Sequence, residues 1–106
     1  MIGRRLQPVV GEDGIARPPE FERPGDYCGP LLGFTGDKPA VFYLLPNGQV
    51  GDIPHHVVSP PHTFRECADG SLEIRNSILH QGFISEREPD GSWHGYLDEG
   101  HSWREV

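Results

Sequence analysis

Long apolar runs and sulfur-containing residues are scarce in this sequence of 106 residues, and each scarcity excludes a class of protein. No run approaches the roughly 20 apolar residues that span a bilayer, and residues 1–10 lack the apolar centre of a secretory signal. The 2 cysteines form no C-x-x-C motif, which excludes a zinc ribbon and a redox motif of that kind. We therefore expect an unexported protein with no membrane partner.

Basic residues are also scarce, since 9 lysines and arginines face 16 acidic residues and the formal net charge is −7. A protein that coats a phosphate backbone needs the opposite balance. The composition therefore argues against nucleic acid as a main partner. Most of the acidic excess lies after residue 40, where 4 basic residues face 10 acidic ones.

The two cysteines, Cys28 and Cys67, are far apart in the sequence, and three interpretations of them stay open. They are reduced thiols in a cytoplasmic protein, the two halves of a single disulfide, or ligands of a metal ion.

Proline and glycine are abundant, with 11 and 14 residues, and 13 of them lie in the first 40 positions. Proline and glycine at this density prevent helices and long strands. The sequence predicts an extended Pro/Gly-rich arm over residues 1–40 and one small antiparallel β domain over residues 41–106.

The second part of the chain consists of short apolar segments separated by turn sequences, and no segment has a helical period of 3.6 residues. Turns are indicated by Asn47-Gly48, Asp69-Gly70, Asp90-Gly91 and Glu99-Gly100. The pattern predicts a mostly β fold, a small antiparallel meander of about six to eight strands that forms a sandwich or a partly open barrel.

One predicted strand, Ser71 to Leu79, has Leu72, Ile74 and Ile78 on one face at a period of two, and this face is predicted to lie in the core. An unbroken strand adds two polar residues, Asn76 and His80, to that face. Because buried polar groups are unfavourable without partners, we expect a β-bulge near Asn76-Ser77.

Three histidines lie close together among prolines that stiffen the backbone: His55, His56 and His62. Residues His55 and His56 point to opposite faces of a strand, so only one of them faces a given pocket. A third imidazole comes from His94 if the last hairpin packs against this segment.

Two interpretations of these histidines stay open. The first is a zinc site formed by His56, His62 and His94, either open for catalysis or closed by Asp52 or Cys67. The second is that the histidines form hydrogen bonds at the edge of the sheet.

The last predicted hairpin carries three aromatic residues, Trp93, Tyr96 and Trp103. They either pack in the core or form an exposed surface of the kind that dominates the energies of protein interfaces. The acidic run at residues 86–90 is interpreted as a solvated loop or as part of a surface that imitates DNA.

Catalytic motifs are absent from the sequence. Ser59, His62 and Asp69 are the residue types of a hydrolytic triad, and Glu66 with Glu73 those of an acid–base pair. Neither set has a nucleophile elbow or a spacing that fixes its geometry. The sequence therefore favours a protein that is not an enzyme.

Two segments resemble a family of small proteins from actinobacteria and their bacteriophages, namely D-G-S-L-E-I-R-N-S-I at residues 69–78 and W-H-G-Y-L-D-E-G at residues 93–100. The resemblance covers roughly residues 50–106, and its recurring landmarks are Ser77, Ile78 and His94. Some members carry clustered cysteines, which implies zinc, where this chain has histidines. Some are labelled ammonia monooxygenase, but this sequence has no copper or iron ligand set and no cofactor motif.

The resemblance and the composition together lead us to expect a phage-type, non-enzymatic domain in the bacterial host cytoplasm. We expect it to bind a host or phage protein through Trp93, Tyr96 and Trp103, with the arm extending the contact. Three alternatives stay open: a virion subunit whose arm wraps a neighbouring copy in a homo-oligomer, a zinc-binding module or small metal-dependent enzyme, and an acidic DNA-mimic inhibitor.

Overall fold

A computed structural model of the chain describes residues 1–33, 38–53, 63–80 and 92–106. These residues form strands, turns and bends, and no helix among them has the length and apolarity that crossing a membrane requires. The strands of the described chain are β1 Arg4–Arg5, β2 Val9–Val10, β3 Ala16–Arg17, β4 Asp26–Leu31, β5 Ala40–Leu44, β6 Val50–Ile53, β7 Phe64–Glu66, β8 Leu72–His80, β9 Trp93–Asp98 and β10 Ser102–Glu105.

The strands form two four-stranded sheets and a separate two-stranded hairpin. The first sheet has the order β10-β9-β8-β7 and is antiparallel throughout. The second has the order β1-β4-β5-β6, in which only β1 and β4 are parallel. Among the described strands, β2 and β3 pair only with each other. The prediction of a mostly β, largely antiparallel fold is confirmed, and within the described residues the sheets do not close into a barrel.

The first five residues join the two sheets on one side. Ile2 forms an antiparallel bridge with Ser102 of β10, and the N–H of Trp103 donates to the Met1 carbonyl at 2.8 Å. Strand β1 follows at once and pairs with β4 of the other sheet. One short segment therefore covers the edge of the first sheet and forms the edge of the second.

Strand β4 lies inside the segment that the sequence predicts to be an arm. It pairs with β5, and its residues Tyr27 and Cys28 are fully buried. The ladder accommodates Pro30 because the register shifts between Cys28 and Leu31. The structure therefore differs from the expected division at residue 40, since residues 26–31 belong to the sheet and to the core.

The core lies between the two sheets and takes side chains from both. In β9 buried and half-buried residues alternate, as the two-residue period of a strand requires. The core cluster consists of Tyr27, Val41, Tyr43, Leu45, Ile53, Leu72, Ile74, Ile78, Trp93, Leu97 and Trp103.

The predicted turns are confirmed where the structure describes them. Gly48, Gly70 and Gly100 have φ angles of 87°, 87° and 83°, in the left-handed region that glycine occupies without strain. The predicted turn at Asp90-Gly91 lies outside the described residues.

The register of β8 shifts where the sequence predicts a β-bulge, between Ile74 and Ile78, but the shift does not remove His80 from the core face. Ile74 opposes Leu97 and Ile78 opposes Gly95, so four positions along β8 match two along β9. An even shift preserves the alternation of faces, and His80 therefore stays buried, at 7% exposure, instead of turning outward.

Candidate functional site

The three aromatic residues expected to contact a partner do not form an exposed surface. Trp93 and Trp103 are each 3% exposed, and their rings meet edge to face with centroids 5.7 Å apart. The indole N–H of Trp103 donates to the Gly25 carbonyl at 2.9 Å, which satisfies its polar atom inside the protein. The prediction is corrected for both tryptophans, because the inward faces of β9 and β10 place them in the core.

Tyr96 is the remaining member of that predicted set, and it lies on the outward face of β9 with intermediate exposure. The guanidinium carbon of Arg104 lies 4.3 Å from the centroid of its ring. This cation–π contact covers part of the tyrosine.

The predicted zinc ligands are described only in part. His94 is half-buried on β9, and its Nε2 atom has no hydrogen-bond partner among the described residues. His56 and His62 lie outside the described residues, as do Ser59 and the acidic run at 86–90. The three-histidine zinc site therefore stays a prediction.

The two glutamates weighed as an acid–base pair are held by arginines. Glu66 accepts two hydrogen bonds from Arg5, both of 2.6 Å, and Glu73 accepts two from Arg65, of 3.3 and 3.1 Å. These arginines lower the pKa of each carboxyl. Both glutamates are therefore ion-pair partners, ionised at neutral pH, and not proton donors.

A cluster of three metal-ligating groups forms where two hairpin turns meet. Cys67 and Asp69 come from the β7–β8 turn and Glu99 from the β9–β10 turn, and their ligand atoms lie within 4.8 Å of one another. Asp69 is oriented by Ser71, whose backbone N–H and hydroxyl donate to Oδ1 at 2.9 and 2.5 Å. The same hydrogen bonds lower the pKa of Asp69. Cys67 is among the cysteine and histidine ligands considered from the sequence, whereas Glu99 is identified there only as a turn residue.

A cleft of about 460 Å³ opens beside this cluster, a volume within the range of small-ligand sites. It lies between β4, the residues that follow β1 and the β9–β10 turn. Its apolar wall includes Leu6, Pro8, Pro30 and Leu31, and its charged and aromatic lining includes Arg5 and His101.

At one end of the cleft, His101 contacts the buried Tyr27. The Tyr27 hydroxyl and the Nδ1 atom of His101 are 2.6 Å apart, and the hydroxyl also accepts a hydrogen bond of 3.2 Å from the Leu72 N–H. Burial raises the pKa of Tyr27, so its phenol is protonated at neutral pH. His101 has a φ angle of 59°, which places a non-glycine residue in the left-handed region.

Arg5, which also lines the cleft, connects three parts of the fold. Besides binding Glu66, it donates to the Gly29 carbonyl at 2.7 Å and to the Gly70 carbonyl at 3.2 Å. Its side chain is only 20% exposed. Arg5 thus fixes the β7–β8 turn against β4, and both of its terminal nitrogens are occupied by acceptors.

Sequence reasoning missed Arg5 and the buried Tyr27, and it also missed His101, which contacts Tyr27 and lines the cleft with Arg5. Arg5 and Tyr27 lie in the segment predicted to be an arm, where the frequent proline and glycine residues made short strands unrecognisable from the sequence. A usable indication was present for His101, because a histidine directly after the turn glycine Gly100 stands at the rim of a hairpin, where binding residues often lie.

Comparisons of the chain with protein-family models, with curated proteins and with solved structures find no match.

Proposed function

We propose that this chain is a protein-binding domain that recognises its partner through the β2–β3 hairpin, residues 9–17 of the N-terminal arm. The observation that carries the proposal is the exposure of two consecutive apolar residues, since Val9 is 58% exposed and Val10 is 64% exposed. Successive residues of a strand point to opposite faces. Neither face of β2 is therefore covered by the rest of the described chain.

Polar contacts, and not an apolar core, hold the hairpin together. Arg17 donates two hydrogen bonds to the Asp13 carboxylate, of 3.0 and 2.6 Å, and the Ile15 N–H donates a third of 3.0 Å. Arg17 is the main reason that the pKa of Asp13 lies well below its ordinary value. Because an isolated two-stranded hairpin is only marginally stable in water, a partner surface that covers the valines would stabilise it.

Charge complementarity defines the chemistry of the partner. The chain has a formal net charge of −7, and the exposed Glu12 and Glu20 lie on either side of β3, while Arg17 is neutralised by Asp13. We therefore assign as partner a protein surface with an apolar centre and a rim of lysine and arginine. Opposite charges on the rim speed association and favour the correct partner.

The resemblance to actinobacterial and phage proteins supports a host or phage protein as the source of this surface. A virion subunit whose arm wraps a second copy is disfavoured in this proposal, because two chains that each have a net charge of −7 repel each other.

Selection from a phage-displayed library of random peptides tests the hairpin. We expect the selected peptides to combine aliphatic residues with lysine or arginine. The double variant Val9→Ser, Val10→Ser should bind them at least about tenfold more weakly in calorimetry. Its melting temperature should stay unchanged, because both valines are exposed.

The matched control is Val50→Ser, which removes a valine of similar exposure, 65%, from β6. Peptides that bind the double variant as tightly as the unaltered protein would show that the hairpin is not the contact surface. Dimerisation of the unaltered protein in sedimentation, lost in the double variant, would make a second copy the occupant and overturn the assignment of a basic partner.

A second candidate function is zinc binding by Cys67, Asp69 and Glu99, favoured by the convergence of their ligand atoms within 4.8 Å. Zinc accepts thiolate and carboxylate ligands, and three protein ligands leave one tetrahedral position free. Binding requires that Arg65, whose Nη2 atom lies 3.4 Å from Glu99 Oε2, releases that oxygen. Arg65 keeps its two hydrogen bonds to Glu73 when it does so.

Cobalt titration tests the zinc site, because Co²⁺ bound to a thiolate has a charge-transfer band in the near ultraviolet. We expect the band in the unaltered protein and in Cys28→Ala, the matched variant of the other buried free cysteine. We expect none in Cys67→Ala, and about tenfold weaker cobalt binding in Asp69→Asn. An unaltered protein without the band contradicts the candidate.

A further inference from the structure

We infer that the cleft binds an uncharged hydrogen-bond acceptor, the amide carbonyl of an extended peptide segment with an aliphatic side chain, through the Nε2–H group of His101. The inference deepens the proposed function, on which it rests for the source of the segment, a part of the protein partner.

The hydrogen-bond network around Tyr27 determines which nitrogen of His101 carries the proton. The phenol has one proton to donate, and the Leu72 N–H already donates to its oxygen. Among the described residues, the phenolic proton has one acceptor, the Nδ1 atom of His101 at 2.6 Å. Nδ1 is therefore unprotonated, and in the neutral ring the proton is on Nε2.

The Nε2–H group of His101 is left without a partner among the described residues. The two nitrogens of an imidazole lie on different sides of the ring, so Nε2 faces away from the buried Tyr27, and His101 lines the cleft. The backbone N–H of Gly3 donates to the His101 carbonyl at 2.7 Å, which fixes this residue in its left-handed conformation. The cleft therefore contains one oriented donor.

The charges around the cleft favour a neutral acceptor over an anion. Both terminal nitrogens of Arg5 are occupied by Glu66 and by the carbonyls of Gly29 and Gly70. The carboxylates of Glu66, at the end of β7, and of Asp69, in the β7–β8 turn, belong to the hairpin that contributes Gly70 to the lining of the cleft. Among the described residues that line the cleft, a ligand carboxylate would meet no cation without an acceptor already bound to it, and it would have two carboxylates as neighbours, whereas an amide carbonyl carries no charge.

The shape and the location of the cleft favour a peptide segment. Leu6, Pro8, Pro30 and Leu31 give it an apolar wall suited to an aliphatic side chain, and prolines add rigidity. Gln7 and Pro8, which line the cleft, lead directly into β2. A partner that covers the hairpin thus passes the cleft, and one of its side chains can enter it.

Nuclear magnetic resonance titrations test the ligand chemistry with two small compounds. N-acetyl-leucine methylamide carries the amide carbonyls and the aliphatic side chain, and sodium isovalerate carries a carboxylate on a similar chain. We expect the amide to shift the resonances of His101 and Leu31 in a saturable way, with binding about tenfold weaker in His101→Asn. We expect isovalerate to bind at least about tenfold more weakly than the amide.

The ring ¹⁵N shifts of His101 test the positioning role of Tyr27. In the unaltered protein and in Tyr96→Phe, the matched control on the outer face, we expect an unprotonated Nδ1 and a protonated Nε2. In Tyr27→Phe we expect a mixture of both tautomers and weaker binding of the amide. These shifts report the proton position, which a purely structural role of Tyr27 would not alter.

Three results would overturn the inference: no saturable shift with the amide, tighter binding of isovalerate than of the amide, or a protonated Nδ1 in the unaltered protein. These outcomes are separate from the test of the hairpin. If library peptides depend on Val9 and Val10 for binding but the amide does not bind, the cleft is excluded as a peptide site and the proposed protein-binding function of the hairpin stands.

Discussion

At the scale of single residues, Asp26 illustrates how a buried charge is made tolerable. Its side chain is fully buried and receives two hydrogen bonds of 2.8 Å from Arg4. The backbone N–H groups of Glu22 and Arg23 donate two more, each of 3.0 Å. The carboxylate is thus paired and saturated, which is the condition under which a charge remains in a protein interior. It ties β1 to the loop before β4.

The variant Asp26→Asn should lower the free energy of unfolding by about 2 kcal/mol. Its NH₂ group would face the N–H groups that now donate to the carboxylate, so at least one of these donors would lose its acceptor. Chemical denaturation measures this change. The matched control is Asp98→Asn, which removes a carboxylate that is paired with Arg104 on the surface at 2.9 Å. The control should change stability by less than about 1 kcal/mol, as exposed pairs do. An equal effect in both variants would show that burial of Asp26 is energetically unimportant.

The same residue should make stability depend on pH in acid. Arg4 above all lowers the pKa of Asp26 from its ordinary value of 3.8 to about 2. A carboxyl with a lowered pKa stabilises the fold above its unfolded-state pKa and loses this contribution as the pH falls toward the folded-state value. Between about pH 4 and pH 2, the unaltered protein should therefore lose more stability than Asp26→Asn.

Residue types alone could not predict which aromatic side chains are buried. The indole of Trp103 is satisfied by the carbonyl of Gly25, a residue from the predicted arm. Because this acceptor cannot be identified from the sequence, two interpretations of Trp103 stayed open there, a core residue and an exposed contact residue. Burial of Trp103 is decided by the partner of its N–H group, and the partner is far away in the sequence.

At the scale of elements, Gly3 lies where the N-terminal segment runs directly against Gly25 and the buried Trp103. A Cβ atom at this position would lie directly against the Gly25 carbonyl oxygen and 2.8 Å from the Trp103 Nε1 atom. Both atoms belong to the hydrogen bond that holds the tryptophan. Only a residue without a side chain lets the segment run this close to the hydrogen bond between Trp103 and Gly25.

The variant Gly3→Ala should destabilise the protein by about 3 kcal/mol, because its neighbours are backbone and a buried ring that cannot move freely. Thermal or denaturant unfolding measures the loss. The control Gly11→Ala also places a Cβ in close contact, but its neighbours are the flexible ends of Arg17 and Asp13, at 2.7 and 2.9 Å. We expect the control to stay within about 1 kcal/mol of the unaltered protein. Comparable losses in both would contradict the tight passage at Gly3.

Elements bounded by turn glycines were predictable, and elements in the proline-rich part were not. The strands after residue 40 follow from Asn-Gly and Asp-Gly pairs and from alternating apolar residues, which are local properties. Strand β4 contains Gly29 and Pro30, so its own sequence predicts a loop. Its pairing with β5 holds the backbone in the extended conformation of a strand. Its existence depends on tertiary pairing that no short window of sequence reveals.

At the scale of the whole molecule, the cleft is assembled from segments that are distant in the sequence. Arg5 belongs to the first strand and Leu6 follows it, Pro30 belongs to β4, Gly70 to a turn, and His101 to the last hairpin. The sequence predicted the class of fold because that class follows from repeated local patterns. The cleft could not be predicted, since its residues meet only after both sheets have formed.

The bridge between Ile2 and Ser102 has a consequence for the order in which the protein folds. Contacts between residues so far apart require closure of nearly the entire chain, and the entropy lost on closing a loop grows with its length. The hairpins of each sheet close short loops, so they form at little entropic expense. The contacts of residues 1–5 with β10 and β4, and with them the strand β1 that lines the cleft, are therefore expected to form last. Folding should be slow for a chain of this length.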